Sequence, residues 1–172
     1  MTKRCNYIVR ELKAAKEPIT ATTFAEKLGV SRQIIVGDVA ILRAAGHDII
    51  ATSRGYILNT PSNRVNFGYT GILACRHTTN DVMLDELNTI VDNGGTVIDV
   101  KVEHQFYGEL VGRLDISSRY DVARFMQQVE EQNTPPLSTL TDGVHLHTIG
   151  CSGRMEFERI SAKLVEKGIA MC

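Results

Sequence analysis

The stretch from Gly29 to Leu58, GVSRQIIVGDVAILRAAGHDIIATSRGYIL, decides the fold of the first part of this chain. Ser31 is a good N-cap, and apolar residues follow it with the spacing of a buried helix face: Ile35, Val39 and Leu42. Gly46 ends this predicted helix, and DIIATSRGYIL then indicates two short strands around a tip at 52–55. Upstream, TATTFAEKLGV predicts a shorter helix that stops at Gly29. Together these elements predict a winged helix-turn-helix.

The second helix of such a motif enters the major groove of DNA, with its first residues nearest the base edges. We therefore expect Arg32 and Gln33 to read bases, because these side-chain types make paired hydrogen bonds to guanine and adenine. Arg54 on the wing is expected to reach a minor groove or a phosphate, and Arg43 a phosphate. Ser31 completes the predicted DNA-binding set, and the predicted partner is a double-stranded operator. Two alternatives stay open, namely ordinary solvated charges and a winged helix that contacts only proteins.

Charge is distributed unevenly along the chain, although 19 Lys and Arg nearly balance 20 Asp and Glu. Residues 1–60 hold nine basic and five acidic residues, whereas residues 61–172 hold ten and fifteen. This asymmetry suggests two modules, the first of which meets a polyanion. The polar segment NTPSNR, Asn59 to Arg64, supplies a boundary. We therefore expect a DNA-binding domain over 1–60 and a regulatory domain over 61–172.

The predicted compartment is the cytoplasm. No apolar run approaches the roughly 18 residues of a membrane span, so we expect no membrane partner. The N-terminal segment MTKRCNYIVRELK is amphipathic and charged, unlike the apolar core of a secretory signal. The four cysteines are scattered without a CxxC pair, which favours reduced thiols over a disulfide set or a cysteine zinc site: Cys5, Cys75, Cys151 and Cys172.

The pattern after residue 64 predicts an α+β sandwich with helices on one face of a mostly antiparallel sheet, related to a split βαβ unit. The expected order is β-α-β-β-α-β with one added helix. The predicted strands are 65–76, 96–103, 108–117 and 135–149, and the predicted helices are 81–92, 118–132 and 153–168.

Two histidines in the segment TDGVHLHTIG are the strongest sign of a site in this second domain. In a strand, His145 and His147 point to the same face, about 6–7 Å apart at the backbone, and two such imidazoles can close on one metal ion. His77, with Asp85 or Glu86, could complete a three-histidine, one-carboxylate site that suits zinc or nickel. The alternative is a set of histidines that are merely hydrogen-bonded.

The front domain resembles the winged helix-turn-helix of biotin-repressor-like regulators, on the stretch quoted first. The second domain resembles the three-histidine regulatory domain of niacin-responsive transcription repressors. The segments that carry this resemblance are CRHTTNDVMLDELNTIVDNGGTVIDVKVEHQFYGEL, SSRYDV and PLSTLTDGVHLHT. It implies a homodimeric repressor of niacin and NAD synthesis or uptake genes, with nicotinic acid as co-repressor.

The resemblance also implies residue roles. The ligands of a divalent metal, zinc or nickel, would be His77, Glu86, His145 and His147. The segment HTTNDVMLDEL is one residue longer than the family pattern, so Asp85 stays open as the carboxylate. His104 and Tyr107 are expected near the effector, although HQFYGEL departs from the family, which often has a proline after the histidine.

Two other functions are compatible with a metal site, namely a metal-sensing repressor and a metal-dependent enzyme acting on a pyridine carboxylate. The second domain lacks a glycine-rich nucleotide loop, a nucleophile elbow and an HExxH helix. We therefore predict a regulator and not an enzyme.

Overall fold

A computed structural model describes residues 2–60 and 65–171. The chain divides into two compact units, Met1–Val65 and Asn66–Cys172, and each is described by itself. The predicted boundary segment Asn59 to Arg64 adjoins this division, but residues 61–64 lie outside the described residues. Of the helices within those residues, none has the length and apolar character needed to cross a membrane.

The first unit contains three helices followed by a two-stranded antiparallel hairpin. Its elements are α1 (Lys3–Ala14), α2 (Ala21–Leu28), α3 (Arg32–Ala44), β1 (Ile49–Thr52) and β2 (Gly55–Leu58). Thr2, Thr20 and Ser31 cap the three helices by accepting a backbone N–H. Gly29 ends α2 in the left-handed conformation, as glycine does at a helix C-terminus. The predicted helix-turn-helix and wing are confirmed.

Helix α3 is held in place by apolar packing and by an ion pair with α1. Ile35, Val39 and Leu42 lie in the core of the unit, as their spacing predicts. Asp38, also buried, accepts hydrogen bonds from the Nε and Nη2 of Arg4 on α1 at 2.5 and 3.0 Å. This bidentate pair ties the second helix of the motif to the first helix of the unit.

The second unit has a four-stranded sheet and three longer helices. Its elements are β3 (Tyr69–Arg76), α4 (Asn80–Asp92), β4 (Thr96–His104), β5 (Gly108–Ile116), α5 (Arg119–Gln132), β6 (Val144–Cys151) and α6 (Arg154–Glu166). The strand order is β3-β6-β4-β5, with every neighbouring pair antiparallel. Strand β6 therefore separates β3 from β4, which splits the first βαβ unit. The predicted α+β class with an antiparallel sheet is confirmed.

Two predicted strands are shorter than expected, and the first of them, predicted over 65–76, begins only at Tyr69. The segment 135–149 was expected to be extended throughout, but Leu137–Thr141 forms a 3-10 helix and β6 begins at Val144. Two consecutive prolines precede this turn, and prolines supply no N–H to a strand ladder. Asp142 and Gly143 then take positive φ angles of 50° and 86°. The N–H of Gly143 donates to the carbonyl of Ser138, which closes the turn.

The three longer helices cover one face of this sheet. Alternate residues of β6 face the helices, so that Ile149 and Cys151 lie in the same core as residues of α4, α5 and α6. Because side chains of a strand alternate, His145 and His147 point toward this same face. The two histidines therefore sit under the helices and not on the open face of the sheet.

Candidate metal centre and DNA-binding elements

Strands β3 and β6 and helix α4 bring the candidate metal ligands together. The sheet register places Cys75 opposite His145 and Leu73 opposite His147. His77 follows the end of β3, and its N–H donates to the carbonyl of Gly143 at 3.2 Å. Helix α4 crosses this face and contributes Glu86, which has no solvent exposure.

The carboxylate of Glu86 lies at the centre of three imidazoles. Its Oε2 is 2.6 Å from the Nε2 of His77 and 3.3 Å from the Nε2 of His145. Its Oε1 is 3.7 Å from the Nε2 of His147 and has no hydrogen-bond partner. The structure thus collects the three histidines that the sequence nominated around one buried carboxylate.

The far sides of two histidine rings are anchored to the backbone. The Nδ1 of His145 lies 2.8 Å from the carbonyl oxygen of Gly143, and that of His147 lies 2.8 Å from the carbonyl oxygen of Asp99. Because a carbonyl oxygen only accepts, each Nδ1 carries the proton. In the neutral rings the lone pairs are then on Nε2, toward Glu86. Metal-binding histidines are oriented in this way, with the second nitrogen donating to a carbonyl or carboxylate.

Burial and charge work against each other in this cluster. Burial raises the pKa of the Glu86 carboxyl, but hydrogen bonds with His145 and His77 and the charge of His147 outweigh burial and bring the pKa below its ordinary value. Burial lowers the pKa of His145, yet the nearby Glu86 carboxylate raises it overall. The pKa of His147 is lowered, chiefly by burial. Without a metal, protons shared with the imidazoles balance the buried carboxylate, and a divalent cation can take over that role.

The donor types, and their distances from Glu86, suit a divalent ion. Two atoms bound to one zinc ion at tetrahedral angles lie about 3.4 Å apart. The Oε2 of Glu86 is 3.3 Å from the Nε2 of His145, and its Oε1 is 3.7 Å from the Nε2 of His147; both distances are close to that value. The hydrogen-bonded distance to His77, 2.6 Å, would have to widen by roughly 0.8 Å. Three nitrogens and one carboxylate oxygen suit zinc or nickel.

The two carboxylates that the sequence left open lie in different environments. Glu86 faces the histidines, whereas Asp85 lies at the surface and accepts a hydrogen bond from the Nζ of Lys167 at 2.5 Å. Consecutive residues of a helix point about 100° apart, so only one of them can face the sheet. The structure therefore favours Glu86.

His104 and Tyr107, expected near an effector, lie at the hairpin between β4 and β5. The Nδ1 of His104 accepts hydrogen bonds from the backbone N–H groups of Phe106 and Tyr107, and its ring contacts that of Tyr107. Tyr107 is 78% exposed. Within residues 65–171, no hydrogen bond or ring contact joins either residue to the four candidate ligands. Their role in effector binding stays a prediction.

Cys75 is a member of the cluster that the sequence analysis did not single out. Its Sγ and donor atoms of Glu86 and His145 all lie within 4.8 Å of one another. A signal was present in the sequence, because Cys75 and His77 are two residues apart at the end of a strand. That spacing places two side chains on one face, as it does for His145 and His147.

The predicted DNA-binding residues are spread over α3 and the wing. Arg32 and Gln33 are the first two residues of α3 and are exposed, while the hydroxyl of Ser31 accepts the N–H of Ile34 as the helix cap. Arg54 lies in the turn between β1 and β2. Arg43, at the end of α3, has a structural contact, since its Nε donates to the carbonyl of Ile49 at 2.8 Å.

Gly143 offers a test of the local geometry at the candidate metal centre. A Cβ at this position would lie 2.2 Å from the carbonyl oxygen of His77. Gly168 also has a positive φ, of 70°, but its Cβ would have open space. We expect Gly168→Ala to lower the free energy of unfolding by about 1 kcal/mol through φ alone, and Gly143→Ala to lower it by about 1 kcal/mol more. Chemical denaturation measures both, and equal effects would contradict the close contact with His77.

Comparison with known proteins agrees with this two-part organisation. The 3H domain family matches residues 70–172, and an HTH domain family matches residues 4–57. The chain is 43% identical over 166 residues to the "Probable transcription repressor NiaR" of Thermotoga maritima, covering 96% of this chain and 92% of that protein. It is 39% identical over 158 residues to the "Transcription repressor NadR" of Bacillus subtilis, covering 92% and 87% respectively.

Both relatives are named as transcription repressors, which are regulators and not enzymes. The prediction of a DNA-binding regulator is therefore confirmed. The resemblance drawn from the sequence is confirmed as well, since the matches extend over nearly the whole chain. With a helix-turn-helix domain followed by a 3H domain, the chain belongs to the NiaR/NadR family of transcription repressors.

Proposed function

We propose that this repressor controls genes of niacin and NAD synthesis or uptake, with nicotinic acid as its co-repressor. In this proposal nicotinic acid binds beside a divalent ion, zinc or nickel, held by His77, Glu86, His145 and His147. The protein acts in the cytoplasm as a homodimer on a double-stranded operator.

The proposal of a metal site rests mainly on the orientation of the three imidazole rings. Two of the three rings are anchored through Nδ1 to backbone carbonyls, and all three Nε2 atoms surround one buried carboxylate. The unpartnered Oε1 of Glu86 supports the same conclusion, because an orphaned buried oxygen costs about 1–3 kcal/mol. A bound cation would satisfy that oxygen.

The chemistry of nicotinic acid matches such a site. When bound, a divalent ion that expands its coordination beyond the four protein donors would accept a carboxylate oxygen or a pyridine nitrogen. The protein's own residues hold the ion and exclude water from it, since the four side chains are at most 8% exposed. His104 and Tyr107, whose rings are in contact, are proposed to hydrogen-bond the other polar end of the effector.

DNA binding is proposed to rest on the start of α3. Arg32→Ala should weaken operator binding by roughly 1–3 kcal/mol if Arg32 reads a base. Arg10→Ala is a matched control, because Arg10 is an exposed arginine on α1, outside the reading helix. Fluorescence anisotropy at fixed salt measures both. An Arg32→Ala variant with wild-type affinity would show that the reading helix is misplaced.

The proposed target genes and dimer can be tested by footprinting. Upstream regions of niacin synthesis and uptake genes should be protected in the presence of nicotinic acid. A symmetric dimer should protect two half-sites about one helical turn, or a multiple of it, apart. Protection that is indifferent to nicotinic acid, or that is absent from these regions, would contradict the proposal.

One observation favours a second candidate, a repressor that senses the metal itself. Glu86, His145 and His147 are 0%, 2% and 4% exposed, so an ion bound by them would be enclosed by the protein. In that case DNA binding would respond to the concentration of the metal without niacin.

A further inference from the structure

Cys75 lies in the proposed metal centre and is not among the four ligands of the proposed function. It is on β3, directly opposite His145 in the sheet register, and has no solvent exposure. Residues directly opposite in an antiparallel pair have side chains on the same face. The thiol of Cys75 therefore points to the same space under α4 as the imidazole of His145.

The distances between donor atoms single out this cysteine. Cys75, Glu86 and His145 each contribute a potential ligand atom, and all three atoms lie within 4.8 Å of one another. Among residues 2–60 and 65–171, these are the three donors found to lie within this distance of one another. Cys5 and Cys151 are also buried, but neither belongs to it.

The second observation is the free oxygen of Glu86. Its Oε2 contacts two imidazoles, whereas its fully buried Oε1 has no hydrogen-bond partner. Burying a carboxylate oxygen without a hydrogen-bond partner costs free energy. An unsatisfied carboxylate oxygen beside a thiol and imidazoles is what a cation between them would complete.

We propose that Cys75 is a further ligand of the divalent ion and binds it as a thiolate. This inference rests on the metal site of the proposed function. As the metal–sulfur bond forms, the thiol proton is released to solvent. A mixed nitrogen, oxygen and sulfur site favours zinc, cobalt or nickel over magnesium or manganese, because thiolate is a soft ligand.

Cobalt absorption spectroscopy tests this inference. Metal-stripped full-length protein is loaded with Co²⁺, and the near-ultraviolet band that arises from thiolate-to-cobalt charge transfer is measured. We expect the wild type to show the band and Cys75→Ser to lose it. The matched control, Cys151→Ser, changes another buried cysteine of the same sheet face and should keep it.

A second variant covers the case in which Cys75→Ser fails to fold. A Cys5→Ser, Cys151→Ser, Cys172→Ser variant retains Cys75 as its one thiol and should keep the band. Wild-type protein that binds about one Co²⁺ per chain without the band would overturn the thiolate ligand and leave the histidine site intact. Wild-type protein that binds no Co²⁺ would overturn both the inference and the metal site.

Discussion

A His145→Ala, His147→Ala double variant is expected to lose nearly all of its bound divalent ion, whereas the wild type should carry about one ion per chain. The change removes two of the three nitrogen donors around Glu86. It leaves Glu86 and His77, together with the proposed ligand Cys75, and this smaller donor set holds a borderline metal much less tightly than the full set. Elemental analysis after exhaustive dialysis measures the stoichiometry.

The matched control for the double variant is His104→Ala. His104 lies at the β4–β5 hairpin and, among the described residues, has no hydrogen bond or ring contact with the cluster. It should retain the full complement of metal. Circular dichroism establishes that both variants are folded. Retention of one ion per chain by the folded double variant would contradict the site.

Nicotinic acid is expected to bind metal-loaded protein at least about 100-fold more tightly than metal-stripped protein, a difference of roughly 2.8 kcal/mol. The reason is that the stripped protein lacks the atom that the carboxylate or pyridine nitrogen would contact. Isothermal titration calorimetry on the two forms measures the difference. Equal affinity in both forms would show that nicotinic acid does not bind at a metal held by the histidine cluster.

Nicotinamide provides the control for that titration. It replaces the anionic carboxylate by a neutral amide and keeps the pyridine ring. If the charge of the carboxylate is used in recognition, nicotinamide should bind much more weakly to the metal-loaded protein. Equal binding of acid and amide would place recognition on the ring alone.

The sequence predicted the first unit well because its signals are local. The caps at Thr20 and Ser31 and the spacing of Ile35, Val39 and Leu42 act within one or two turns of a helix. The structure follows them closely. The contact between Arg4 and Asp38 could not be predicted, because it joins residues 34 positions apart whose neighbourhood depends on how two helices cross.

The candidate metal centre shows the same division between local and distant information. The alternation of His145 and His147 is a property of one strand, so their common face was predictable. The position of Glu86, and not Asp85, over the histidines depends on how α4 is rotated over the sheet. The proximity of Cys75 to His145 depends on the register of β3 with β6. Sequence spacing determines neither of these, since both are set by packing in the assembled core.

The boundary error at 135–149 has a separate cause. An extended pattern with two prolines is compatible with a strand as well as with a turn. The positive φ angles of Asp142 and Gly143 mark the end of the 3-10 helix, directly before β6 begins at Val144. That turn matters for the site, because the carbonyl of Gly143 receives hydrogen bonds from both His77 and His145.

The proposed coupling of metal, nicotinic acid and DNA is tested most directly by operator binding of metal-stripped protein in four conditions. These are no addition, metal alone, nicotinic acid alone, and both together, all at one salt concentration because affinity for DNA depends on salt. An effector shifts DNA binding only if it binds the DNA-competent form better than the other form. The proposed function predicts tight operator binding with both additions and weak binding with either one alone. Full operator affinity with metal alone, unchanged by nicotinic acid, would contradict it and identify a metal-sensing repressor.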